Sequence, residues 1–306
     1  MSIKKIVTGL TLSLLLASGV ASAANFYTGL IAYQSADYAT ALIEFVPLAE
    51  QGDIDAQYFL GNMYNFGNGV TENDNTAMKW YAKAAEQGDS RAQFALGIMY
   101  DYGNGVPEND KTAVKWYTKA AEKGHAAAQF NLGWMYEFGK GVPENDKTAV
   151  KWYTLAAEQG HARAQDNLGV MYSFGKGVPE NDKTAVRWFT EAAEQGHAKA
   201  QFRLGLMYNL GKGVTKNDKA AVKWCTLAAE QGNASGQAML GLMYEYGDGV
   251  LTDNRRAYMW YNLGSYNGNK LGGKNKDKLV KDMTPADISK AQGMSSRCLK
   301  SNYTGC

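Results

Sequence analysis

The stretch LGNMYNFGNGV at residues 60–70 returns as LGIMYDYGNGV at 96–106, LGWMYEFGKGV at 132–142 and LGVMYSFGKGV at 168–178, then as LGLMYNLGKGV at 204–214 and LGLMYEYGDGV at 240–250. The period is 36 residues throughout. Trp80, Trp116, Trp152, Trp188, Trp224 and Trp260 keep step, each 20 residues beyond the leucine of its unit. Self-similarity at a fixed period of this length marks a repeat architecture. Within the unit at 89–124, Ala92, Leu96, Met99, Tyr100 and Tyr102 recur at three- and four-residue spacing, which predicts an amphipathic helix with these side chains on its buried face. Gly103 and Gly105 end it, since glycine enters the left-handed conformation at little steric cost. Asp110 is the expected cap of a second helix carrying Ala113, Val114, Trp116, Tyr117, Ala120 and Ala121, which Gly124 stops. Each unit therefore reads as an antiparallel helix pair.

The composition agrees with a folded chain. Of 306 residues, 45% are hydrophobic and 20% charged, with five prolines. Neither a collagen-like nor a disordered chain has that profile. The 34 glycines exceed the usual share of about 7%, so many chain reversals are implied.

The first residues read as a secretory signal at 1–23. Lys4 and Lys5 form a basic start, residues 6–20 an uncharged and mostly apolar core, and Ala21-Ser22-Ala23 a small-residue cleavage site. The apolar run falls short of the roughly 18–20 residues that a spanning helix needs, so no membrane span is expected after cleavage. Removing 1–23 takes away two lysines and no acids and leaves 30 basic against 30 acidic side chains. Residues 24–269 carry 22 basic and 27 acidic side chains, and 270–306 carry eight and three. An acidic body argues against a nucleic-acid partner, which requires a basic face. The expected location is periplasmic or secreted, and the expected state a monomer.

In LGxMYxxGxGV, in DKTAVKWY at 110–117 and in the recurring AAEQG, the chain resembles the Sel-1-like repeat family, a relative of the tetratricopeptide repeat. The resemblance covers six units at 53–88, 89–124, 125–160, 161–196, 197–232 and 233–268. A lead-in hairpin at 24–52 precedes them, and a closing helix and cysteine-containing tail follow at 269–306. Thr284 as cap and Pro285 in the first turn give that closing helix a start. Cys225 departs from the pattern, standing where five units have Tyr or Phe. The resemblance implies an all-α fold, a right-handed superhelical α-solenoid of antiparallel helix pairs, and a protein-interaction role through its concave face. By that resemblance, family members act as adaptors, and exported bacterial members occur in host contact and cell-envelope processes. An envelope structural or regulatory component that holds an envelope protein or glycan is the alternative. A cysteine-rich branch is associated with β-lactamase activity, but its units each carry a cysteine pair, whereas only Cys225 lies within the units here.

No catalytic, metal or cofactor site is expected. His125, His161 and His197 occupy one repeat position, shared with Asp53, Asp89 and Asn233, where a helix cap belongs. The Glu-Asn-Asp loops, such as Glu108-Asn109-Asp110, lack the spacing of a calcium loop and suit a helix start. The paired glycines lack the strand before them and the Gly-Lys-Ser/Thr after them that a phosphate loop requires. The recurring Trp, Tyr, Met and Ala positions read as core. Slots where units disagree are better candidates for recognition, because the fold does not dictate them. On the first helices these give Phe94, Ile98, Asp101, Phe130, Trp134, Glu137, Val170, Ser173, Leu206 and Asn209 as the candidate partner-binding surface. Trp134 is the one tryptophan outside the repeated register, and aromatic anchors favour hot spots.

Cys298 and Cys306 flank a short polar turn and are expected to form a disulfide in an oxidising compartment, leaving Cys225 buried and free. The exported, oxidised and denatured protein is accordingly predicted to titrate one thiol and to begin at Ala24 by mass. Two or more reactive thiols would refute the pairing, and an intact 1–23 would refute the signal.

Overall fold

The computed structural model describes residues 24–306, so the expected signal at 1–23 lies outside the described residues. They form helices and no strand. The chain divides into two compact units, one ending at Glu144 and the other Asn145–Cys306. In the first unit, α1 (Phe26–Gln34) and α2 (Tyr38–Glu50) make the lead-in hairpin. The pairs α3 (Ile54–Phe66) with α4 (Asp74–Glu86) and α5 (Ser90–Tyr102) with α6 (Asp110–Glu122) follow, then α7 (Ala126–Phe138). The second unit holds α8 (Asp146–Glu158), the pairs α9 (Ala162–Phe174) with α10 (Asp182–Glu194) and α11 (Ala198–Leu210) with α12 (Asp218–Glu230), then α13 (Ala234–Tyr246) with α14 (Asn254–Tyr266). It closes with α15 (Lys270–Leu279), a short 3₁₀ turn (Val280–Asp282) and α16 (Pro285–Lys300). Thr284 caps α16 with Pro285 in its first turn, as the sequence suggests.

Small residues set how closely the helices approach. Gly97 on α5 faces the ring of Tyr117 on α6, and a Cβ there would stand 2.4 Å from it. Gly61 with Tyr81, Gly169 with Phe189 and Gly241 with Tyr261 repeat this contact at 2.5–2.6 Å. Where Cys225 replaces the ring, its Sγ reaches the same distance from Gly205, 2.6 Å from a Cβ built there. Ala92, Leu96 and Met99 of α5 then pack on Ala77, Tyr81, Ala84 and Ala85 of α4, so each first helix is buried against the preceding pair. Burial of this apolar surface, at about 25 cal/mol per Å², is the main force holding the stack.

The turn between paired helices explains the GxGV motif. Gly103 adopts φ 72° and donates its backbone N–H to Met99, closing α5 with a left-handed cap. Gly105, also left-handed, passes so close to α4 of the preceding pair that a Cβ would stand 2.7 Å from that of Asp74.

Three expectations require correction. The cap of α6 is Asn109, which accepts from the Thr112 N–H at 2.9 Å, while Asp110 is the first helical residue. Asparagine reaches the N3 amide from the extended backbone before the helix, and Asp110 then favours the positive end of the helix dipole. Tyr102 is exposed: six residues beyond Leu96 at about 100° each, it points away from the buried stripe. The tryptophans are not uniformly core. Trp188 and Trp260 are buried, but Trp80, Trp116, Trp152 and Trp224 are half-buried, and Lys83 and Lys119 amines lie 4.2 and 4.3 Å from the Trp80 and Trp116 rings.

One buried polar residue recurs that apolar periodicity does not reveal. Gln57, Gln93, Gln165, Gln201 and Gln237 are buried near the start of each first helix, and each donates to a carbonyl eight residues back at 3.0–3.1 Å. Their side-chain oxygens accept from the residue that follows each second helix. Gln87 donates to Gln57 at 2.9 Å, Gln195 to Gln165 at 2.7 Å, Gln231 to Gln201 at 2.8 Å and Asn267 to Gln237 at 2.9 Å. Lys123 interrupts the series. It donates to the Gly88 carbonyl at 2.7 Å, and the Gln93 Oε1 is left buried without a hydrogen-bond partner. An unsatisfied buried acceptor costs about 1–3 kcal/mol. Lys123→Gln is therefore predicted to raise stability by about 1 kcal/mol, read as a higher urea midpoint with an unchanged slope. A lower midpoint would refute this account of the bridge.

Candidate binding surface

The three histidines cap helices. Nδ1 of His125 accepts from the Ala128 N–H at 3.2 Å, His161 from Ala164 at 3.2 Å and His197 from Ala200 at 3.4 Å. An accepting Nδ1 carries no proton, and burial lowers the pKa of all three rings. Among the described residues no cluster of three or more His, Cys, Asp or Glu side chains is placed to hold a metal. Cys225 is buried and free, its pKa pushed up to about 12 by desolvation, which makes it a poor nucleophile. Cys298 and Cys306 are placed as a bonded pair, with Cα atoms 5.3 Å apart.

The ten candidate residues are all half-buried, and they do not play one role. The first slot of each stripe reaches toward the next repeat. Tyr58 lies under the Arg91 guanidinium at 4.4 Å, and Phe94 stacks on His125 at 4.6 Å and tilts against Tyr117. In the second unit the slot holds Asp166, which is buried and takes the guanidinium of Arg203, with His197 Nδ1 3.9 Å away. The third slot is tied to its own pair: Asp101 accepts from the Tyr117 hydroxyl at 3.0 Å, and the Asn209 amide donates to Asp218 at 3.2 Å. Ile98, Trp134, Val170 and Leu206 fill the second slot, and Ser173 joins the third. Trp134 rests on Phe138 with ring centroids 5.1 Å apart. Phe130 and Glu137 sit on the same helix, α7.

One further step along the stripe reaches residues that the sequence reading missed. Phe66, Tyr102 and Phe138 in the first unit, and Phe174, Leu210 and Tyr246 in the second, end the first helices at 55–71% exposure. Each is four residues beyond the second slot, on the same helical face. A large apolar side chain exposed once is unremarkable, but here it recurs at one position of six repeats, outside the core that the fold requires. The signal is present in the sequence as position 7 of every quoted stretch. Its spacing from Met99 matched a helix and hid its orientation.

With this geometry in place, the Sel1 repeat pattern is found to match residues 54–89, 90–125, 126–161, 162–197, 198–233 and 234–269. The chain belongs to the Sel1 repeat family. It is similar to c5321, a protective antigen of uropathogenic Escherichia coli strains displaying an SLR fold. Identity is 36% and the TM-score 0.85, over 91% of this chain and 62% of that one. It is also similar to a Sel1 repeat protein from Oxalobacter formigenes, with 34% identity and a TM-score of 0.72 over 79% of this chain and 97% of that one. The chain thus spans less than two thirds of the antigen's length. No curated protein matches it.

The lowered histidine pKa values give a pH dependence. Near the ordinary value of about 6.5 the folded rings bind fewer protons than the unfolded ones. Their contribution to stability is full above that pH and falls as pH drops from 6.5 through the depressed folded values. The thermal midpoint should decline from about pH 7.5 to about 5.5. Replacing all three by Asn, the cap used at Asn233, should keep the caps and flatten that decline. A slope unchanged in the triple variant would exclude the histidines as its source.

Proposed function

We propose that this Sel1 repeat protein is an exported, non-catalytic scaffold that binds a protein or peptide through the face carrying the candidate stripe and its exposed continuation. In the curved solenoid expected of the family, this is the concave face. The observation that carries the reading is the recurrence of exposed Phe66, Tyr102 and Phe138 in one unit and Phe174, Leu210 and Tyr246 in the other. Aromatic anchors on a rigid helical platform suit recognition, because they bury large area with few rotatable bonds. Similarity to a protective antigen of uropathogenic Escherichia coli strains supports an exported role. So does the expected signal at 1–23, followed by a hairpin at 24–52, six repeats at 53–268 and a closing segment at 269–306 stapled through Cys298 and Cys306. No helix among the described residues is long and apolar enough to cross a membrane.

Crosslinking mass spectrometry in the native organism identifies the partner, with envelope extract and host secretions compared to separate an envelope protein or glycan from a host ligand. A Tyr102→Ser/Phe138→Ser variant is expected to weaken that partner by about 2 kcal/mol or more while the thermal midpoint holds. Trp134→Ala, which removes the ring beneath Phe138, should weaken it as well. Undiminished binding by both variants would retire this face. Nitrocefin hydrolysis by the purified protein would overturn the non-catalytic reading.

A further inference from the structure

Among the described residues the lead-in hairpin is the first element of the stack, and it exposes apolar side chains. Gly29 of α1 lies against Phe45 as Gly61 lies against Tyr81 and Gly97 against Tyr117, which sets α1 in register with the first helices of the repeats. Two residues beyond each glycine stand Ile31, Met63 and Met99. Met63 and Met99 are buried against the preceding helix pair, whereas Ile31 is 66% exposed. Tyr27, one turn earlier on the same face, is also exposed. The hairpin departs from the repeats on α2 too: exposed Ile43 stands 36 residues before Lys79, at a position that is Lys or Arg in the next five units. Terminal repeats require a polar outer face to stay soluble, so three exposed apolar side chains at an unstacked end mark an interface.

The charge pattern indicates what covers it. Residues 24–52 contain Asp37, Glu44 and Glu50 and no cation, which disfavours pairing of two such hairpins. Residues 269–306 hold eight basic and three acidic side chains. There α15 presents exposed Lys270, Lys274 and Lys278, followed by Lys281, beside exposed Leu271 and the exposed Tyr266 of α14. This is a basic surface with an apolar centre, the complement of the hairpin.

We propose that the hairpin face of one copy docks on the α15 surface of a second copy, so that chains associate head to tail. Such a contact is heterologous, so it joins copies into rings or short chains and not into a two-fold pair. The sequence reading expected a monomer. Sedimentation velocity on residues 24–306 decides between them, from about 1 to about 100 μM protein and in about 0.02 and about 0.5 M salt. The expected result is a sedimentation coefficient that rises with concentration at low salt and falls at high salt. Ile31→Asp and Lys274→Glu/Lys278→Glu, each folded by circular dichroism, should each weaken association at least tenfold, about 1.4 kcal/mol. An equimolar mixture of the two variants should form one-to-one pairs and nothing larger, since each retains one good end. A single species at every concentration overturns the proposal. Association that strengthens with salt, or that ignores the lysine changes, identifies hairpin-to-hairpin pairing and equally overturns it.

Discussion

The buried glutamine at the start of each first helix is the contact on which the stack depends. An amide taken out of water is costly unless both ends are bonded. Gln201 meets this demand by joining three segments: its Nε2 donates to Ala193 in the preceding pair, and its Oε1 accepts from Gln231 at the end of its own. The Ala193 bond fixes one pair on the next, and the Gln231 bond ties the two helices of its own pair. Apolar burial is non-directional and fixes that register less sharply than a hydrogen bond does. The glutamine supplies the register and the glycine–ring contacts supply the separation.

That division leaves the outer end of each first helix free of structural duty. Leu96 and Met99 are consumed by contact with α4, and Asp101 by the Tyr117 hydroxyl. Tyr102, one residue later, makes the helix's last turn and faces solvent. Repeating this arrangement presents rings at regular intervals on each unit without weakening its core. The aliphatic and aromatic side chains that seem redundant for folding are those available for recognition.

Much of this was legible in the sequence because a 36-residue period repeats the same evidence six times. Helix pairs, glycine turns and histidine caps followed from local chemistry. What escaped did so for physical reasons. Asn109 and Asp110 are both good capping residues, and only backbone geometry shows which one sits before the first turn. Tyr102 fits a three- and four-residue spacing from Met99 yet lies off the buried axis. Gln201 looks like a surface residue until its two partners are placed, since nothing in apolar patterning marks a satisfied buried amide. Ile31 was hidden because the lead-in hairpin does not follow the repeat motif, so its register had to come from Gly29.

Apolar burial holds the stack, the glutamine spine sets its register and the exposed rings are left for recognition; parallel urea unfolding of Gln201→Leu and Phe174→Ser tests that division directly. Gln201→Leu removes two hydrogen bonds at about 0.5–1.5 kcal/mol each, so it should cost about 1–3 kcal/mol. Phe174→Ser alters an exposed side chain and should stay within about 0.5 kcal/mol of the parent. A near-neutral Gln201→Leu beside a destabilised Phe174→Ser would contradict the account.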